Sequence, residues 1–232
     1  GLHSDFFVVS AVTDAAARPR HVSLFLVDKD LPGVTIGRDQ PMMGLTGTSH
    51  VELFFEDVKL GREHLLGGEG RGLAIAYSTL GRVRLAQVGA RAIGKASRLA
   101  TLMTDYANER VQFGKPIGEF QMIQQMIADS VVEINAARLM LLRAVWPNAR
   151  GFEAGARILM VKIVAAVTLG RVADRAVQVY GGMGYCADSA VERLYRDARI
   201  FRIFDGTSEI HRTVVAKSAL KRGASLWDIG AP

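Results

Sequence analysis

The sequence predicts an α+β protein, mainly α: an antiparallel four-helix-type bundle preceded by a partial antiparallel β domain. Three observations carry this reading. Up to about residue 60, short β-branched and aromatic runs alternate with turn-forming loops, as strands do. From about Arg71, apolar residues recur at three- and four-residue steps over long stretches, as in helices. The links between those stretches are short, and short links between long amphipathic helices make antiparallel neighbours.

In order, FFVVSAV, HVSLFLVDK, GVTIGR and HVELFFEDVKL are the expected strands, separated by DAAARPR, DLPG and the MGLTGTS loop. Gly67-Gly68-Glu69-Gly70 marks a composition shift, so the domains are expected at 1–66 and 67–232. A short helix to Leu80 follows, then a long one from about Arg82 to Arg110. Pro116 interrupts, and the next helix runs to Trp146. Its stripe is Ile123, Ile127, Val131, Ile134, Leu141 and Val145, and Pro147 and Asn148 are expected to stop it. Further helices are expected over Glu153 to Tyr180, from Asp188 onward, and over Ser208 to Arg222, with Trp227 in a frayed tail.

Composition sets bounds. With 232 residues, 49% hydrophobic and 22% charged, the chain can bury an ordinary core. The longest apolar run, Ile158 to Leu169, is broken by Lys162 and is too short to span a bilayer, so no membrane partner is expected. A single cysteine, Cys186, excludes an internal disulfide framework and fits a reducing compartment. The histidines His3, His21, His50, His64 and His211 lack metal-ligand spacing and read as surface or capping residues, so no metal is expected. The net charge is +6, but the Lys and Arg are spread among acids along helices. That pattern is a solvated face or an attraction for phosphate-rich ligands, rather than a nucleic-acid patch.

The stretch Gln178 to Arg212 concentrates the chemistry. Gly181, Gly182 and Gly184 make a bend that side chains would obstruct. Asp205-Gly206-Thr207-Ser208 then precedes a helix start, with Ser208 or Thr207 as N-cap and Glu209 in the first turn. A helix start offers free N–H groups, a natural seat for phosphate. An acid beside an anion seat is the outline of a cofactor enzyme with a base. Turn, cap and helix are also common structural grammar, so the residues alone leave both readings open.

The same stretch, QVYGGMGYCADSAVERLYRDARIFRIFDGTSEIHR, resembles the acyl-CoA dehydrogenase family. DGTSEIHR stands where that family usually has EGTSEIQR, and ERVQFGKPIGEFQ, from Glu109 to Gln121, matches a third block at the right separation. The resemblance implies a dimer of dimers with FAD at the subunit interface, an acyl-CoA substrate, and an electron-transfer flavoprotein as redox partner. It also implies a cytoplasmic location, or the mitochondrial matrix in a eukaryote. By position it makes Asp205 the catalytic base. It assigns Arg110, Gln112, Phe113, Gln121, Gln178, Gly181, Gly182, Thr207 and Glu209 to FAD, and Arg82, Arg84, Phe204 and Gly206 to the substrate. The implied reaction removes an α-proton by the carboxylate while a β-hydride passes to the flavin. The base's own N–H and a ribityl hydroxyl stabilise the thioester oxygen.

Three departures bear on this. Aspartate replaces the usual glutamate at 205, as in kinase-domain-related acyl-CoA dehydrogenases and in nitroalkane oxidases; it is shorter by about 1.5 Å. A base on the long helix near residue 84 is closed off, because no Asp or Glu lies between Glu69 and Asp105. Arg82 and Arg84 are out of register with the family's arginine, which aligns with Leu85. Finally, the match begins inside the β domain, so the chain is expected to be part of a longer or split enzyme. The alternatives are a nitroalkane-oxidase-like flavoenzyme and a non-catalytic half-subunit or nucleic-acid-binding relative.

Overall fold

The computed structural model describes residues 1–79, 84–149 and 155–226. The chain divides into two compact units, Gly1–Gly81 and Arg82–Pro232. The expected end of one helix at Leu80, Arg82, Glu153 and Trp227 lie outside the described residues.

In the first unit, β1 (Phe6–Asp14) and β2 (His21–Asp28) are antiparallel, in register from Phe6 opposite Asp28 to Val12 opposite Val22. β3 (Val34–Asp39) and β4 (Val51–Phe55) form a separate antiparallel pair, with Val34 opposite Phe55. β5 (Leu65–Leu66) pairs with the other side of β2. The middle position of β2 explains its burial: Ser23, Leu24 and Val27 are enclosed. β1 alternates, and Phe6, Val8 and Val12 remain exposed. α1 (Gly72–Thr79) packs on β2. A Cβ at Gly72 would come within 2.7 Å of the Val22 carbonyl oxygen, so glycine permits that seat. α1, packed on β2, belongs to the first of these units.

The second unit is a helical bundle. α2 (Leu85–Glu109) ends at a tight hairpin of β6 (Val111–Gln112) and β7 (Lys115–Pro116). Phe113 (φ 53°) and Gly114 (φ 80°) make its two-residue turn, with the mirror-image twist that suits hairpins. α3 (Gln121–Ala149) and α4 (Gly155–Tyr180) follow. The short α5 (Gly182–Tyr185), α6 (Ala190–Ala198) and α7 (Ser208–Arg222) complete it.

α4 is the hub, packing on α2, α3, α6 and α7. Its Ala165, Ala166, Ala173 and Ala176 are fully enclosed and let neighbouring helices approach closely. α2 and α4 run parallel: a Cβ at Gly89 would lie 2.7 Å from Val161, and Tyr106 stacks on Tyr180 at 4.2 Å between ring centroids. The Tyr180 hydroxyl donates to the Leu102 carbonyl at 3.1 Å. α3 runs antiparallel to both, with Arg175 reaching Glu133 at 3.1 Å and Arg138 donating to Ser97 at 3.0 Å.

Two expectations about α3 need correction. Ile123, Ile127, Ile134 and Leu141 face the core, but Val131 and Val145 are exposed. Each four-residue step overshoots a helical turn by about 40°, so Val131 slides off the stripe and Ser130 takes the inner position. Pro147 does not stop the helix, which runs to Ala149. A proline forfeits its own N–H bond, and one lost bond near an end does not stop a helix. The outer face carries Val132, Leu139, Leu142 and Trp146, all exposed. No helix among the described residues is long and apolar enough to cross a membrane.

Candidate functional site

After α6 the chain turns through Arg199–Arg202, where Phe201 is fully buried and Phe204 packs edge-on against it at 5.0 Å. Two consecutive left-handed residues follow, Asp205 (φ 55°) and Gly206 (φ 85°). Aspartate tolerates this region better than most side chains, and glycine adopts it freely. Thr207 caps α7, its hydroxyl accepting from the Ile210 N–H at 3.3 Å. Of the two expected caps, Thr207 is the one used. Ser208 is the first helical residue and is buried.

Around this turn lies a polar cluster. Arg84, just before α2, places Nε 2.7 Å from Asp205 Oδ1. Lys162 of α4 is fully buried, and its Nζ donates to the Gly206 carbonyl at 2.7 Å. His211, one turn into α7, is buried with Nε2 against Gly206, where a Cβ would come within 2.5 Å. Asp205 Oδ2, Ser208 Oγ and His211 Nδ1 are buried with no hydrogen-bond partner among the described residues.

The electrostatics follow from burial. Burial pushes the Lys162 ammonium down from its ordinary range, against the pull of the Asp205 and Glu209 carboxylates. Burial also lowers His211, and the Lys162 cation adds to that; a hydrogen bond with the Asp205 backbone and the Asp205 charge oppose it. Glu209 is held below the usual carboxylate range, first by its own backbone N–H and also by Thr207, Arg212 and Arg202.

The sequence-predicted residues separate into two groups. Phe204, Asp205, Gly206, Thr207, Glu209 and Arg84 gather where α7 begins, beside the early turns of α2 and α4. Arg110, Gln112, Phe113, Gln121, Gln178, Gly181 and Gly182 sit at the far ends of α2 and α4, drawn together by the Tyr106–Tyr180 stack. All seven are exposed, Phe113 to 94%. Gly181 has φ 59°, which explains glycine there, and open space surrounds both Gly181 and Gly182. Along α4, Lys162 and Gln178 are about 24 Å apart at the helical rise. One chain therefore keeps the two groups apart.

Sequence reasoning missed Lys162, which was read as an interruption of an apolar run, and His211, which was read as a surface or capping residue. A signal for the first was present: a lone lysine inside ILMVKIVAAVTL needs a buried partner. His211 gave no signal beyond lying one turn after an expected cap.

Two family models cover the chain: "Acyl-CoA dehydrogenase, C-terminal domain" over residues 70–220 and "Acyl-CoA dehydrogenase, middle domain" over residues 1–58. An acryloyl-CoA reductase (NADH) of Anaerotignum propionicum is 39% identical over 96% of this chain and 56% of its own length. The solved butyryl-CoA dehydrogenase of Megasphaera elsdenii has a TM-score of 0.89 and is 35% identical over 95% of this chain and 57% of its own. A solved FAD complex of PigA has a TM-score of 0.89 at 30% identity, over 96% and 58% of the two chains. The chain thus spans little more than half the length of these relatives.

Proposed function

Because the chain belongs to the acyl-CoA dehydrogenase family, we propose that it works as an FAD-dependent acyl-CoA dehydrogenase with Asp205 as the base. The observation that carries this is the asymmetry of the Asp205 carboxylate. Oδ1 is anchored by Arg84 at 2.7 Å, while Oδ2 is buried without a partner among the described residues. One oxygen fixes the group and the other is left to take a proton.

The chain's exposed donors fit FAD. Arg110 offers a guanidinium fork to phosphate oxygens, and Gln112, Gln121 and Gln178 offer amides to polar edges. Gly181 and Gly182 leave open space for close approach. The capped start of α7 at Thr207 and Glu209 directs N–H dipoles at negative charge. The buried, unpartnered Ser208 hydroxyl adds a polar atom at that end. When bound, FAD supplies the acceptor for the β-hydride. Asp205 Oδ2 takes the α-proton, and the Asp205 backbone N–H donates to the thioester oxygen as charge develops there. Phe204 and Gly206 border the acyl group, with Arg84 beside its reacting end; Arg82 is assigned to the substrate by the family resemblance alone.

The division into half-sites supports a homo-oligomer in which one protomer's Arg110–Gln178 end completes the site at another's Asp205. The exposed Leu139, Leu142 and Trp146 of α3 are surfaces for such contacts. An electron-transfer flavoprotein is the proposed electron acceptor, and the cytoplasm, or the matrix in a eukaryote, the proposed compartment.

The test is anaerobic bleaching of the flavin by a panel of acyl-CoA thioesters. Asp205→Ala is expected to retain flavin and lose turnover by about a hundredfold or more; full turnover would overturn the assignment. The short acid at 205 favours one second reading, a nitroalkane-oxidase-like flavoenzyme. Peroxide formed from a nitroalkane, with no bleaching by any acyl-CoA, would select it.

A further inference from the structure

We propose that Lys162 and His211 are positioning residues, which grip Gly206 from α4 and α7 and so hold the Asp205 carboxylate in its working orientation. The inference rests on Asp205 being the base.

Lys162 lies among the buried residues Val161, Ala165 and Ala166 of α4 and is itself fully buried. An ammonium removed from water is costly unless its partners are good, and a methionine would fill the same space without a charge. Its hydrogen bond goes to a backbone carbonyl, that of Gly206, at 2.7 Å. An ion pair would fix a side chain; this bond fixes the path of the main chain at the residue after Asp205. That path is one that needs fixing. Asp205 and Gly206 are successive left-handed residues, and such conformations persist only where their surroundings over-determine them. His211 supplies the second constraint. Its ring stands so close to Gly206 that no side chain could be accommodated there. Arg84 then acts on the carboxylate that this backbone presents.

A general base loses about a hundredfold in rate for a misplacement of about 1 Å. Loosening the turn should therefore appear in kcat rather than in substrate affinity. The experiment compares Lys162→Met, which keeps the volume and removes the donor, with Lys162→Gln, which restores a neutral donor, in the FAD-loaded protein. Lys162→Met is expected to lower kcat about tenfold or more while KM stays within about twofold, and Lys162→Gln to recover part of the loss. Hydrogen exchange read on peptides spanning 203–211 should accelerate about tenfold in Lys162→Met and in His211→Ala, with peptides of α2 and α3 unchanged. Wild-type kcat and exchange in Lys162→Met would overturn the proposal, as would faster exchange throughout the bundle, the mark of a purely structural lysine. If the wild-type protein oxidises no acyl-CoA, the functional reading fails, and the exchange contrast alone still decides whether Lys162 and His211 hold the turn.

Discussion

Asp205 sits in a backbone conformation that most side chains avoid, with Lys162 bonded to the next carbonyl and Arg84 to its own carboxylate. Arg84 is half exposed, so its ion pair with Asp205 adds on the order of 0.2–1 kcal/mol to stability. Its value lies in aiming the carboxylate. Arg84→Ala is expected to lower kcat about tenfold or more and to leave the urea midpoint nearly unchanged, a contrast that steady-state kinetics and unfolding curves check together. His211 behaves differently. Its folded pKa lies below the ordinary 6.5, so the native state prefers the neutral ring. Between the folded pKa and about 6.5 the unfolded chain binds more protons. The stability contributed is therefore whole above pH 6.5 and is lost as pH falls below it. Urea midpoints from pH 8 to 5 should decline in the wild type, and less steeply in His211→Gln. Among single residues, Asp205 and the Thr207 cap were legible because turn and cap chemistry is local. Lys162 signalled only a need for some buried partner and His211 signalled nothing, since their meeting at Gly206 joins segments far apart in sequence.

At the scale of elements, boundaries were legible where a local signal marks them. α7 spans Ser208 to Arg222 as expected, because a threonine cap opens it and a glycine at φ 58° closes it. Thr207→Ala should cost about 1 kcal/mol, measured by thermal or urea unfolding. α6 begins at Ala190, two residues after the expected start at Asp188, because Ser189 caps it, its hydroxyl accepting from the Val191 N–H. The faces of α3 were harder to read. That helix has apolar residues on two sides, and only packing against α2 and α4 decides that Ile134 and Ala137 turn inward while Val132 and Leu139 stay out. The strands were recognised one by one, but their grouping into β1-β2-β5 and β3-β4 depends on pairings that alternation does not encode.

At the scale of the molecule, the decisive fact is that α2 and α4 run parallel. Motifs at their two ends cannot meet within one chain, although linear order places Gln178 and Asp205 in a single stretch. The proposed oligomer makes this testable by mixing two inactive variants. Asp205→Ala retains the Arg110 end, and Arg110→Ala retains the Asp205 end. Co-assembled from unfolded or dissociated chains, the pair should recover roughly a quarter of wild-type activity, since half the pairings are mixed and each mixed pair restores one of its two sites. No recovery, with co-assembly demonstrated, would count against a shared site.

The enclosed amine of Lys162 has a practical use. Acylating reagents that modify surface lysines cannot reach it while α4 and the turn at Gly206 stay closed. Its slow labelling in the otherwise native protein would time how often that corner of the bundle opens.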